Sequence, residues 1–158
     1  MVPIDEMFMR EALRQAKKAY EADEVPIGAL IVHRNKIIAR AHNQVETLKD
    51  PTAHAEMIAI TQATSALSAK WLQECILYVT LEPCSMCAGA LVLARLGRLC
   101  FGAEEPKTGA CGSVLDIVRH QKLNHRVEVL GGVLASECGA IVSDFFEKKR
   151  RLKAVQDN

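Results

Sequence analysis

Two short motifs about thirty residues apart, His54-Ala55-Glu56 and Pro83-Cys84-Ser85-Met86-Cys87, restrict the fold of this chain more than any other feature, because each stands at the start of a predicted helix. Asp50-Pro51-Thr52 precedes the first motif, with Thr52 a candidate N-cap, and an apolar run through Met57, Ile58 and Ile60 predicts a helix over about 53–67. Pro83 precedes a second helical run over 86–96, which puts Cys84 and Cys87 in its first turn. Residues two apart on a helix do not share a flank, so His54 and Glu56 reach one point only if that point lies over the helix end. A site using both motifs must therefore bring two helix N-termini together.

The remaining segments suggest a scaffold that can do this. Over 5–22, Phe8, Ala12, Ala16, Ala19 and Tyr20 recur at helical spacing, with Asp5 a candidate cap. The runs 27–33 and 36–41 are β-rich on either side of Arg34-Asn35 and predict an antiparallel hairpin. A buried strand over 75–80 delivers the chain to Pro83, and further strands are predicted at 99–102 and 126–130, the last ended by Gly131-Gly132. Ser136 is a candidate cap for a final helix near 136–153, with an apolar stripe of Cys138, Ile141, Val142 and Phe145. This alternation predicts an α/β class, three-layer α/β/α domain whose mixed sheet combines a hairpin with parallel strands joined by right-handed crossovers. At 158 residues, 49% hydrophobic and 25% charged, one compact domain over 1–158 is expected.

Imidazole nitrogen and thiolate sulfur are zinc donors, and a catalytic zinc site stops at three protein ligands so that water can take the fourth position. His54, Cys84 and Cys87 are the candidate ligands, for one zinc ion per chain. Two thiolates offset the charge of the dication, so the water is acidified less than it would be beside three imidazoles. Glu56 is the candidate base that takes its proton and returns it to the substrate ring and the departing ammonia. This ordered pattern is the known signature of zinc nucleobase deaminases, and it points to hydrolytic deamination. The competing reading is a closed zinc knot with Cys75, Cys100 or Cys111 as fourth ligand, which leaves Glu56 without a purpose.

Six cysteines do not imply disulfides here, because two belong to the motif and Cys75, Cys100, Cys111 and Cys138 sit among apolar or small residues as expected of buried thiols. Residues 1–10 are acidic and do not read as a secretory signal, and no apolar stretch is long enough to span a bilayer, so a cytoplasmic protein is expected. A net charge of +1 gives no global sign of nucleic-acid binding. Positive charge is instead local: Lys148, Lys149, Arg150, Arg151 and Lys153 follow Phe145 and Phe146. Such a run is either a solvated helix end favoured by the dipole or a phosphate-contacting surface with an aromatic ring for an unpaired base. His33, His42, His120 and His125 lack ligand-like spacing, and Trp71 is expected to pack rather than stack a base.

The chain resembles the cytidine-deaminase-like superfamily and, more closely, the bacterial tRNA-specific adenosine deaminases. The likeness runs through Val25-Pro26-Ile27-Gly28-Ala29, Asp50 to Glu56, Tyr78 to Cys84, Met86 to Ala90, Lys107-Thr108-Gly109-Ala110, Asn124 to Glu128 and Ser143-Asp144-Phe145-Phe146. The resemblance implies a five-stranded sheet, a homodimer, and conversion of a flipped-out wobble adenosine to inosine in a tRNA anticodon stem-loop. It places the zinc ligands on His54, Cys84 and Cys87, the proton shuttle on Glu56 and a pocket asparagine on Asn43. Ile27 and Leu81 match its pocket-wall positions; Ala55, Glu105 and Lys107 are further substrate-binding candidates, and the aromatic-basic run adds Phe146, Lys149 and Arg150. Where the family often carries a basic then an acidic residue before Lys107, this chain has Glu104-Glu105-Pro106, which adds a charge that phosphates repel. The rival readings are a deaminase of free guanine, cytidine or another small compound, and a silent tRNA-binding subunit. The second has no use for Glu56.

Overall fold

A computed structural model of the protein describes residues 1–157. Helix α1 (Ile4–Glu21) is followed by strands β1 (Gly28–His33) and β2 (Lys36–His42), a short helix α2 (Val45–Leu48) and helix α3 (Ala55–Leu67). Strand β3 (Cys75–Leu81), helix α4 (Ser85–Leu93), strands β4 (Arg98–Ala103) and β5 (Glu128–Leu130), and helix α5 (Ala135–Gln156) complete the chain. The five strands lie in the order β2-β1-β3-β4-β5. β1 runs antiparallel to both its neighbours, whereas β3, β4 and β5 are mutually parallel.

Side chains alternate across the sheet with period two and so feed two separate cores. Ile31, Leu77, Val79 and Leu99 pack with Ala59 and Ala63 of α3 and Ala88 and Leu91 of α4. Leu30, Val32, Tyr78 and Cys100 point the other way, against Met9, Ala12 and Leu13 of α1 and Cys138 of α5. The result is the expected α/β/α sandwich with a five-stranded mixed sheet. Close packing on one face depends on Gly28, since a Cβ there would lie 2.0 Å from the Ala12 carbonyl oxygen and 2.5 Å from Ala16 N. The four thiols outside the motif, Cys75, Cys100, Cys111 and Cys138, are free and buried.

All three expected helix caps are corrected by the structure. α1 begins after Pro3, and Asp5 lies inside its first turn. Its carboxylate accepts instead from the Tyr78 hydroxyl at 2.7 Å and from both Arg98 terminal nitrogens at 3.1 and 2.9 Å. α3 is capped by His54, because Thr52 is drawn into a turn in which its N–H and hydroxyl both donate to Asp50. α5 starts after Leu134, which adopts the left-handed conformation, so Ser136 is already helical. In the case of Asp5 a cationic partner from a strand offers a stronger bond than a helix end does.

The Asp5 contact carries a stability prediction. The Arg98 guanidinium, more than the Tyr78 hydroxyl, holds the Asp5 carboxyl below its ordinary value despite partial burial. A lowered folded-state value means that the contribution is present above the unfolded pKa and is lost as pH falls through the folded one. Asp5→Asn is expected to cost about 1–3 kcal/mol in urea unfolding at neutral pH, and the deficit relative to the parent should shrink on acidification. A deficit that stays constant down to strongly acidic pH would refute the assignment.

Candidate metal centre and substrate cleft

The sheet delivers two helix starts to one place. His54 is the N-cap of α3 and Cys84 the N-cap of α4, both with extended backbone, and Cys87 follows in the first turn of α4. His54 Nδ1 lies 3.5 Å from Cys84 Sγ and 3.5 Å from Cys87 Sγ. One ligand atom from each of the three residues falls within 4.8 Å of the others. A tetrahedral zinc centre, with bonds of about 2.0 Å to nitrogen and about 2.3 Å to sulfur, has N···S edges of about 3.5 Å. The donor set therefore fits the ion in both chemistry and spacing.

Among the described residues no further His, Cys, Asp or Glu joins this group. That disfavours the closed knot, since Cys75, Cys100 and Cys111 all lie outside it. The thiol of Cys87, together with His54, bonds to Cys84 and holds its pKa at about 3. Cys87, the donor in that pair and deeply buried, is pushed above the ordinary thiol value, while His54 is raised by its contact with Cys84. Helix N-termini add positive potential that favours thiolate here.

Glu56 occupies the first turn of α3 and is 3% exposed. Among the described residues its Oε1 is the one buried side-chain polar atom with no hydrogen-bond partner. Burial raises its pKa, so the carboxyl can hold a proton that a solvated glutamate would release. A buried, unsatisfied carboxyl oxygen costs stability, which makes Glu56 a candidate for chemistry rather than for packing.

A cleft of about 840 Å³ opens beside His54, and Ile27, Asn43 and Leu81 line it. This volume lies within the range of small-molecule sites. Asn43 follows β2 and is buried, and its Oδ1 accepts from the N–H of Ala55 at 2.9 Å. It thus fixes the start of α3 while lining the cleft, and its amide NH2 remains the group that can face a substrate. Ala55 itself is fully buried and contributes no lining to the cleft.

α5 closes one side of the cleft with Val142, Phe145, Phe146 and Lys149, and the loop after β4 adds Glu105 and Thr108. An adjoining groove of about 460 Å³ is lined by Glu105, Lys107, Thr108, Phe146 and Arg150. The RNA-facing candidates are thereby brought together, although two are partly engaged within the chain. Lys149 Nζ bonds Asp23 at 2.7 Å, and Glu105 Oε1 accepts from the N–H of Lys107 at 2.9 Å. Phe145 is buried edge-on against Tyr20, whereas Phe146 is 42% exposed. Trp71 is half-exposed between the cations of Lys70 and Arg95, and the His125 ring donates from Nε2–H to the Leu96 carbonyl at 2.7 Å, so neither ring belongs to the cleft.

Two buried carboxylates escape a reading by motif. Glu24 accepts from the backbone N–H of Glu46 at 2.9 Å and of Thr47 at 2.6 Å, and from the Thr47 hydroxyl at 2.5 Å, so it ties α2 to the end of α1. Glu82 accepts from the N–H groups of Glu105, Cys111 and Ser113 and from the Ser113 hydroxyl. Burial alone would raise both pKa values, yet these hydrogen bonds outweigh it and both carboxyls end below the ordinary range. The signal in the sequence is faint: an acidic residue at the end of an apolar strand, directly ahead of Pro83.

A sandwich of this topology with a His-Cys-Cys centre at paired helix starts defines a nucleobase-type deaminase, and the chain belongs to the MafB19-like deaminase family, whose sequence profile matches residues 4–150. Within it the chain sits among the tRNA-specific adenosine deaminases. It is 49% identical over 155 residues to the protein of that name from Bacillus subtilis strain 168, covering 98% of this chain and 96% of the relative. The Aquifex aeolicus strain VF5 protein of the same name is 51% identical over 145 residues, covering 92% and 95%. A solved structure from studies of A-to-I editing by tRNA:A34 deaminases superimposes with a TM-score of 0.82 at 44% identity, over 85% of this chain and 98% of that one. A guanine deaminase from Bacillus subtilis also matches at 44% identity, but with a TM-score of 0.60 and only 63% of this chain and 64% of that one.

Proposed function

We propose that this chain, as one deaminase domain, converts adenosine to inosine at the wobble position of a tRNA anticodon, acting in the cytoplasm as a homodimer with one zinc ion per subunit. The observation that carries this reading is the convergence of His54, Cys84 and Cys87 beside the unpartnered Glu56, in a chain that is nearly half identical to tRNA-specific adenosine deaminases along almost its full length. No helix among the described residues is long and apolar enough to cross a membrane.

Held by His54, Cys84 and Cys87, zinc supplies the Lewis acidity that activates water at neutral pH. Glu56 takes a proton from the attacking water as the C6–O bond forms and delivers it to ring N1. It then carries the second proton to the amine as the C6–N bond breaks and ammonia leaves. The Asn43 amide, fixed at the start of α3, donates to the nucleoside and orients it. Ile27, Leu81 and Val142 present apolar surface to the purine faces and exclude water from them. Phe146 stands exposed at the rim as a stacking platform for an unpaired flanking base.

A free-base deaminase needs only the cleft. The adjoining groove, with Lys107, Phe146 and Arg150, extends it by a surface that a single nucleoside does not fill and a folded-back RNA loop does. Purified protein assayed on an anticodon stem-loop, free adenosine, guanine and cytidine separates the readings, and preference for a free compound would overturn this one.

The basic run differs residue by residue. Among the described residues Arg150 has no carboxylate within bonding distance, whereas Lys149 must leave Asp23 to reach a phosphate. Arg150→Gln is expected to weaken stem-loop binding and to lower the slope of log K against log salt by about 0.7–0.9, the value for one phosphate on a single strand or duplex. Lys149→Gln should do so less. Unchanged slopes in both would make α5 an ordinary solvated helix end.

A further inference from the structure

Glu82 ends the segment that leads from β3 into the metal-ligand turn, two residues ahead of Cys84, and is 3% exposed. Its Oε1 accepts from the Glu105 N–H at 3.1 Å and from the Ser113 hydroxyl, and its Oε2 from the N–H groups of Cys111 at 3.0 Å and Ser113 at 3.1 Å. All four donors belong to one loop, which therefore wraps around the carboxylate. The fit leaves no spare room: a Cβ on Gly109 would stand 2.5 Å from both the carboxyl carbon and Oε2 of Glu82. A second tie runs from the Ala110 N–H to the Pro83 carbonyl at 2.9 Å. The outer side of this loop presents Glu105, Lys107 and Thr108 to the groove beside the cleft.

We propose that Glu82 is a positioning residue: its carboxylate hangs the 105–113 loop from the metal-ligand turn, and so sets the RNA-facing wall in register with the reacting centre. The inference rests on the RNA substrate proposed above. Because Glu82 touches neither donor set nor cleft, its loss acts on how tightly the loop wall meets the RNA and not on the bond-making step. Glutamine at this position would turn an NH2 group toward N–H donors on one side, which breaks the clamp while keeping the size of the side chain.

The test uses zinc-loaded parent, Glu82→Gln, Gly109→Ala and Ser113→Ala. Each is measured for zinc content, for kcat and KM on an anticodon stem-loop, and for hydrogen exchange at amides 105, 111 and 113. Glu82→Gln and Gly109→Ala are expected to raise KM about tenfold, in line with loss of charge-assisted hydrogen bonds, with kcat held within about threefold and zinc content unchanged. The three amides should exchange faster. Ser113→Ala, which removes one donor only, should move KM the same way by less. If Glu82→Gln does not fold, Gly109→Ala and Ser113→Ala carry the comparison, since both keep the carboxylate. A fall in kcat and zinc content with KM unchanged would overturn the proposal, as would parent-like amide protection in the variants. A parent protein that leaves the stem-loop unmodified would instead sink the RNA reading itself.

Discussion

Glu56→Gln is expected to keep one zinc ion per chain and to lose about 10²- to 10⁴-fold in kcat, the range attributed to a positioned acid-base group. The amide has nearly the shape of the carboxyl, so the buried first turn of α3 should fold as before. What changes is that the amide can neither accept the proton of the attacking water nor pass it to ring N1. The stability effect should be small or favourable, because Glu56 Oε1 is buried without a partner and its burial opposes ionisation. The pairing of lost rate with retained or increased Tm is the diagnostic, since a purely structural glutamate would lose both together. Full-rate deamination by a zinc-replete Glu56→Gln protein would remove Glu56 from the mechanism.

Cys87→Ala is expected to abolish stoichiometric zinc binding and, with it, activity at least as completely as the loss of Glu56. Three donors would hold the ion, two of them thiolates that would offset its charge, and among the described residues no further His, Cys, Asp or Glu joins the group to restore a lost thiolate. The other thiols, Cys75, Cys100, Cys111 and Cys138, are buried outside the group. The same end state should be reached without mutation by dialysis of the parent against a chelator. There, activity should return on titration of zinc to one equivalent, whereas Cys87→Ala should not respond. Metal analysis and the stem-loop assay check both arms, and metal-independent activity in the chelated protein would refute the centre.

The centre was legible before the structure because its parts are local. His54 and Glu56 lie within one helix start, Cys84 and Cys87 within another, and donor chemistry limits what such residues can do together. The hydrophobic pattern likewise located the strands and long helices to within a few residues, since burial on a sheet face or helix stripe imposes its period on the sequence. The predicted cap at Asp5 failed for a reason of the same kind in reverse. A cap is a local preference of about 1 kcal/mol, and Asp5 found a guanidinium 93 residues away that outweighs it.

What the chain determined alone is therefore the class of chemistry: a zinc-type donor set, a carboxyl placed beside it, and an alternating α/β frame to carry them. What only the tertiary structure decided is how the rest of the site is held. The clamps made by Glu24 and Glu82, the double duty of Asn43, and the engagement of Lys149 by Asp23 all join residues apart in sequence through a few side-chain hydrogen bonds. Such bonds leave no periodicity and no motif, because a buried polar side chain takes whichever donor the packed chain brings within reach.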